Sequence, residues 1–360
     1  MFKLRYDDFL IYDEATGTYS MSAEQKVRDE TERNRWKNTG LTILKDWRLY
    51  LMLVPMILVY VLWKYLPMYE LLAAFKTGSE TNVLDRAWAG LSNFQEIFFG
   101  KQEALTAQRF WMAFRNTFIL AFYGLLFGFP VPIILALFFN EIRSNIARSI
   151  LQVCVYLPKF LSIVIVTTLV ISLFKGTVIE GNNITQQSGI VSQFLTLIMG
   201  KNSDLGAQAQ LENGLIYSAR YFRAIYIVSD LWEHAGYDSI VFFAAVIAVS
   251  PTSYEAASID GAGKMAQMRY VVIPSILSTV VIMLIMKIGS LLSVGYEKLY
   301  LFCKDPTYGN YQAALVVSTL SNYWNSALGI AAEMVNNLIG MILVIGANTI
   351  ARKASDVSLY

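Results

Sequence analysis

Three apolar stretches of this sequence are interrupted by polar side chains at helical spacing. Asp230, Glu233, His234 and Tyr237 fall at i, i+3, i+4 and i+7, as do Glu333, Asn336, Asn337 and Gly340. Lys287 is followed by Ser290, Ser293, Tyr296 and Glu297. On a helix such spacings gather the polar groups on one face. Carboxylates and amides there can hydrogen-bond the hydroxyls of a sugar, and aromatic rings can cover its apolar faces. Ionisable groups inside a membrane face a cavity or one another, so Lys287 is expected to pair with an acid such as Glu333. Taken singly, each residue fits an interhelical hydrogen bond that merely holds a bundle together equally well. His234 is the single histidine and is expected to be a satisfied hydrogen-bonder rather than a proton carrier.

No nucleophile and base pair stands out, so no catalytic residue is assigned. Cys154 lies in an apolar run and Cys303 in a polar stretch, with no CxxC spacing and no histidine cluster. That pattern argues against a disulfide framework and against a metal site. The sequence contains no GxxxxGK[ST] phosphate loop, so no cofactor is expected on this chain and nucleotide chemistry is expected elsewhere. The net charge of +2 is small and the basic residues are dispersed, which points away from a nucleic-acid partner.

The elements that must carry these residues are membrane helices. Of 360 residues, 55% are hydrophobic and 16% charged, and the mean hydropathy is +0.45, which implies an all-α polytopic membrane protein. Six segments are long and apolar enough to span: 48–68, 117–139, 150–174, 224–250, 272–295 and 328–350. Residues 33–48, 140–149, 251–271 and 351–360 hold eleven Lys or Arg in 57 positions, against eleven in 128 for 70–116, 175–223 and 296–327. By the positive-inside rule both termini and the 251–271 loop are cytoplasmic. The first residues, MFKLRYDDFLIYDEATG, lack the apolar core of a secretory signal. Residues 1–45 are expected to form a cytoplasmic tail, with a charged, solvated helix at 22–37, and 46–355 the membrane domain. The apolar run GIVSQFLTLIMG at 189–200 is too short to span and reads as an interfacial helix on the outer side.

The loop after the fourth span begins PTSYEAASIDGAG and runs to Pro274. Pro251 interrupts the membrane helix, Thr252 with Glu255 forms a capping-box pattern, and Asp260-Gly261 gives a helix stop. The result is a two-turn helix at 252–262, too short to be stable without a partner surface. Its small residues Ala256 and Ala257 let another backbone approach, and Glu255 adds a charge near its positive end. An ordinary connecting turn is the bland alternative.

The string Glu255-Ala256-Ala257-Ser258-Ile259-Asp260-Gly261-Ala262, with Pro274 nineteen residues after the Glu, resembles the EAA motif of ABC-importer permeases, most closely the MalF/UgpA and LplB-like carbohydrate permeases. Met268, Val271 and Ile273 depart mildly from that pattern. The likeness extends over about residues 45–355, through Asp46-Trp47, Leu53-Val54-Pro55, Asn93-Phe94, Asn116-Thr117, Leu157-Pro158, Trp232 with Gly236, and Asn348. It implies a six-span, type I importer (MetI-like) fold in a bacterial cytoplasmic membrane. It also implies a second permease subunit, two cytosolic ATPase subunits that bind ATP and Mg, an extracellular or periplasmic solute-binding protein, and a carbohydrate substrate. Glu255, Ala256, Ala257, Asp260 and Gly261 would then form the ATPase-coupling helix. The expected substrate path comprises Asp230, Glu233, Tyr237, Lys287, Ser290, Ser293, Tyr296, Glu333, Asn336 and Asn337. The rival reading from the residues alone is an ion-coupled secondary transporter using Asp230, Glu233, His234 and Lys287.

Overall fold

The computed structural model describes residues 10–13, 18–21, 47–77, 82–180, 183–200, 203–211, 214–302, 309–320 and 326–354. The charged stretch at 22–37 and the boundary expected at 45–46 lie outside the described residues. The chain forms two compact units, Met1–Glu70 and Leu71–Tyr360. The first holds a hairpin of β1 (Leu10–Asp13) and β2 (Thr18–Met21) and most of the first span, α1 (Trp47–Phe75).

In the second unit, α2 (Ser92–Phe99) leads into a long span in which α3 (Ala104–Gly128) and α4 (Pro130–Glu141) run on through Phe129. This span begins at Ala104 rather than near 117, because Phe110 and Ala113 are buried with Ile97 of α2 in one hydrophobic cluster. The expected third span is two helices, α5 (Asn145–Phe160) and α6 (Ile163–Phe174), bent by 98°. Pro158 precedes the break, and the Ser162 hydroxyl accepts from Val164 N at 3.4 Å to start the new helix. A second hairpin, β3 (Val178–Glu180) with β4 (Asn183–Gln186), lies in the outer loop, followed by α7 (Ile190–Met199) and α8 (Asp204–Gln210). The short apolar helix expected at 189–200 is α7, and Thr196 faces α8, its hydroxyl 3.4 Å from Gly206 O there while donating to Ser192 O of its own helix at 2.8 Å.

The fourth span, α9 (Phe222–Ile247), turns by 67° into the cytoplasmic helix α10 (Pro251–Ile259). The fifth, α11 (Lys264–Gly289), stops before Ser290 instead of continuing to 295, and the chain resumes as α12 (Tyr296–Phe302). After α13 (Tyr311–Ala314) and α14 (Val317–Leu320), α15 (Ser326–Ala354) is the last span.

Buried asparagines hold the non-helical connections. Asn116 of α3 is fully buried and donates to Gln312 O at 2.6 Å and Leu315 O at 2.9 Å, while its oxygen accepts from Arg223 of α9 at 2.9 Å. Next to it, Thr117 accepts from Val317 N at 3.0 Å. Asn310, also fully buried, donates to Ile216 O and Phe302 O. Close backbone approach matters at Gly236, where an added Cβ would lie 2.2 Å from Val155 O of α5. Gly236→Ala is therefore expected to push α5 from α9 and lower the unfolding midpoint of the detergent-solubilised protein, at a cost of about 1–3 kcal/mol for overpacking. An unchanged midpoint would contradict this tight contact.

Candidate translocation cavity and coupling surface

A cavity of about 560 Å³ lies where the helices are interrupted. Lys159, Leu161 and Ile163 reach it from the α5–α6 break, and Ser290, Ser293 and Gly295 from the gap between α11 and α12. Gly124 and Gly128 of α3 form part of its wall, and nothing lies within 4 Å of a Cβ built at either. Irregular backbone at membrane depth is tolerated where it lines a cavity or is buried in protein, and this chain places both breaks there.

The charged wall centres on a lysine. Lys298 Nζ donates to Glu233 Oε2 at 2.8 Å, lies 3.8 Å from Asp230 Oδ1, and sits 5.8 Å from the centroid of the Tyr226 ring. The Lys298 and Glu233 side chains are only 2% and 6% exposed, so each charge depends on the other. His234 Nδ1 is 3.0 Å from Asp230 O and 3.4 Å from Asp230 Oδ1, the position of a hydrogen-bonded histidine. One atom each of Asp230, Glu233 and His234 come within 4.8 Å of one another, a spacing that could hold a metal ion. The Lys298 ammonium already pairs with the two acids, so this trio meets a built-in cation.

Asp230, Glu233, Lys287, Ser290 and Ser293 all line the cavity. Tyr237, Tyr296, Glu333, Asn336 and Asn337 are not part of its lining. The Tyr237 ring meets Phe160 edge-on at 6.3 Å, and Tyr296 stacks on Tyr300 at 5.8 Å. Asn336 is buried and donates to Leu292 O at 3.1 Å, tying α15 to the gap after α11. Glu333 is half-buried and Asn337 exposed. Lys287 pairs with Asp238 Oδ2 at 3.4 Å and not with Glu333, because α9 rather than α15 supplies the acid nearest its side chain. Lys159, Asp238 and Lys298 were not among the residues expected from sequence. Asp238 continues the Asp230–His234 row by four residues, and Lys298 is the one basic residue in the stretch Tyr296–Phe302, so both carried a usable signal.

On the cytoplasmic side, α10 starts at Pro251 with Ser250 at the cap, and Thr252 instead shares a 2.7 Å hydroxyl contact with Ser250. The expected Thr252–Glu255 capping box does not form, since proline at the first helical position already supplies the starting φ. The other end closes through Gly261 at φ +75°, with Gly261 N donating to Ser258 O at 3.1 Å and Ala262 N to Ala257 O at 2.9 Å. These two bonds are a Schellman cap. Gln267 braces the turn by donating to Ser258 Oγ at 2.9 Å and Ala262 O at 3.0 Å, and Lys264 pairs with Glu141 at the end of α4. Tyr254 packs inward with a side-chain hydrogen bond to Asn140; burial pushes its phenol above the ordinary value, and Glu141 adds to the rise. Glu255, Ala256, Asp260 and Gly261 are exposed and Ala257 is half-buried.

Comparison with known proteins fits this geometry. Residues 128–302 match the model of the binding-protein-dependent transport system inner membrane component. The chain is 31% identical to the polygalacturonan/rhamnogalacturonan transport system permease protein YteP of Bacillus subtilis, covering 91% of this chain and 95% of that one. It is 30% identical to protein LplB of the same organism over 88% of this chain and 92% of the relative. The chain belongs to the binding-protein-dependent transport system inner membrane components. This inner membrane component also resembles a chain in the crystal structure of a bacterial ABC transporter involved in the import of the acidic polysaccharide alginate, with a TM-score of 0.72, 31% identity, and coverage of 88% of this chain and 99% of that one. As an importer permease subunit of the ABC class it is a transport component, with the MetI-like helical fold expected from its sequence.

Two outcomes follow for this inner membrane component. Gly124→Phe is expected to fill the cavity and reduce uptake to a small fraction while leaving the melting temperature and subunit assembly unchanged; uptake at the original rate would place the path elsewhere. Lys298→Met alone leaves Glu233 buried without its cation and should cost about 3–5 kcal/mol, whereas adding Glu233→Leu should restore most of it. Thermal unfolding of the single and double variants measures this, and equal melting points would show that the pair is not coupled.

Proposed function

We propose that this chain is one of two permease subunits in an ATP-driven importer that moves an oligosaccharide across the cytoplasmic membrane. The observation that carries this reading is that one element joins the two sites. Helix α11 starts at Lys264, three residues after Gly261, and reaches the cavity at Lys287. A displacement of α10 is thereby passed to the cavity wall through a hydrogen-bonded turn and one continuous span, α-helical except for a π-helical turn at Met268–Val272.

The exposed face of α10, with Glu255 as polar anchor and Gly261 as the sharp turn, docks in a groove of a cytosolic ATPase. Two such ATPase subunits bind ATP and Mg and perform the hydrolysis, and this chain carries out none. The cavity supplies carboxylates, lysine ammonium groups and the hydroxyls of Ser290 and Ser293 to a hydroxyl-rich substrate delivered by an external binding protein. An oligosaccharide agrees with the substrates in the names of the relatives, which are polygalacturonan or rhamnogalacturonan and the acidic polysaccharide alginate. Asp230, Glu233, Lys287, Ser290 and Ser293 contact it directly. Asn336 acts by shaping the wall from behind, and Tyr237, Tyr296, Glu333 and Asn337 contribute only if a later state of the cycle brings them to the path.

The test is uptake by the complete complex in proteoliposomes, with binding protein, ATP and radiolabelled oligosaccharides, both neutral and uronate-containing. Gly261→Val forces a β-branched residue into a left-handed conformation that costs about 1–2 kcal/mol. Together with Glu255→Ala it is expected to abolish ATP-dependent uptake at normal assembly. Uptake that survives both substitutions would remove the coupling assignment.

A further inference from the structure

The cavity at the helix breaks does not end blindly. A second one, of about 310 Å³, lies deeper and is walled by Phe129, Pro132, Phe242, Met283 and Met286. The two share four lining residues, Gly128, Asp238, Lys287 and Ser290. Chain direction fixes their order. Along the continuous α3–α4 span and along α9, which run inward, the outer cavity takes Gly124 and Asp230 and the inner one Pro132 and Phe242; along α11 and the gap after it, where the chain runs outward, the inner cavity takes Met283 and the outer one Ser293. On all three elements the shared residues stand between the two sets, so they form one layer across the path.

That layer contains one ion pair among the described residues, Lys287 Nζ to Asp238 Oδ2 at 3.4 Å. It differs in kind from the pair above it. Lys298 and Glu233 are 2% and 6% exposed and 2.8 Å apart, whereas Lys287 and Asp238 are 43% and 32% exposed. A half-solvated pair separates with little loss, since water or a ligand hydroxyl replaces each partner. Below the layer the wall changes character, from carboxylates and serines to Met283, Met286 and the edge-to-face rings of Phe129 and Phe242, 5.9 Å apart.

We infer that the Lys287–Asp238 pair is a movable partition between an outer polar vestibule and an inner apolar chamber of the import path. When a saccharide arrives, its hydroxyls donate to the Asp238 carboxylate and accept from the Lys287 ammonium, so the two part without either losing hydrogen bonds. The sugar's C–H faces then meet the aromatic and methionine side chains below. This inference rests on the proposed import function for its meaning but not for its measurement.

The experiment uses the assembled importer in right-side-out vesicles, with Cys154, Cys303 and the partner subunits' cysteines replaced by serine. One cysteine is introduced at Ser293 or at Met283, and a charged, membrane-impermeant methanethiosulfonate is added outside without nucleotide. With the pair intact, Ser293→Cys is expected to react at least ten times faster than Met283→Cys. Adding Asp238→Asn with Lys287→Met should close that gap to within about threefold. Comparable labelling of both positions with the pair intact overturns the partition, and so does a tenfold gap that persists after neutralisation. Should the double variant fail to assemble, Asp238→Ser alone carries the same expectation and the same refuting result. If the labelling behaves as expected but no oligosaccharide is taken up, the import reading falls and the partition stands.

Discussion

A backbone that leaves a helix inside a bilayer must find its hydrogen bonds within the protein, because lipid offers none. In this chain that task falls largely to buried asparagine amides. Asn116 takes the carbonyls of Gln312 and Leu315, Asn310 those of Ile216 and Phe302, and Asn336 that of Leu292. Each carbonyl belongs to a stretch where the chain turns, stops or restarts. An amide suits the position because it donates without adding a charge, at a depth where a lone ammonium would be costly. With those carbonyls satisfied, the helices can be interrupted around open space, and the cavity is the space that results.

The spans themselves were legible in the sequence because apolarity over some twenty residues needs no knowledge of neighbours. The ends of α10 were legible for a similar local reason, since Pro251 and Gly261 act through their own φ preferences. The breaks were not. Leu161 and Ser162 interrupt a helix without lowering the apolarity of the run, so hydropathy passed smoothly across a 98° bend. The stop of α11 at Gly289 was hidden in the same way.

Among the polar residues, the partners were the illegible part. Lys287 lies 49 residues from Asp238, and Lys298 lies 65 from Glu233, so only the packing of α9 against α11 and α12 decides who meets whom. The Glu333 stripe on α15 had the right spacing but faces other surroundings, and Asn336 within it turned out to support the wall from behind. Periodicity gives the face of a helix and leaves open what that face looks at. The same helix, α9, supplies both a sealed pair at Glu233 and a solvated one at Asp238, five residues apart. Two charges on one element thus differ in how readily they let go of their partners, which composition cannot express.

The length of α11 carries a mechanical meaning. From Lys264 to Lys287 the helix rises about 35 Å at 1.5 Å per residue. It is tied at its cytoplasmic end to the Gly261 turn and ends at Ser290, where the chain becomes irregular. A rod that pivots near one end turns a small rotation there into a larger displacement at the other. A tilt of about 10° about the cytoplasmic end sweeps the Lys287 level sideways by about 6 Å, nearly twice the 3.4 Å separating its ammonium from Asp238. A small rotation at the membrane surface is therefore enough to change which charges touch in the middle of the bilayer.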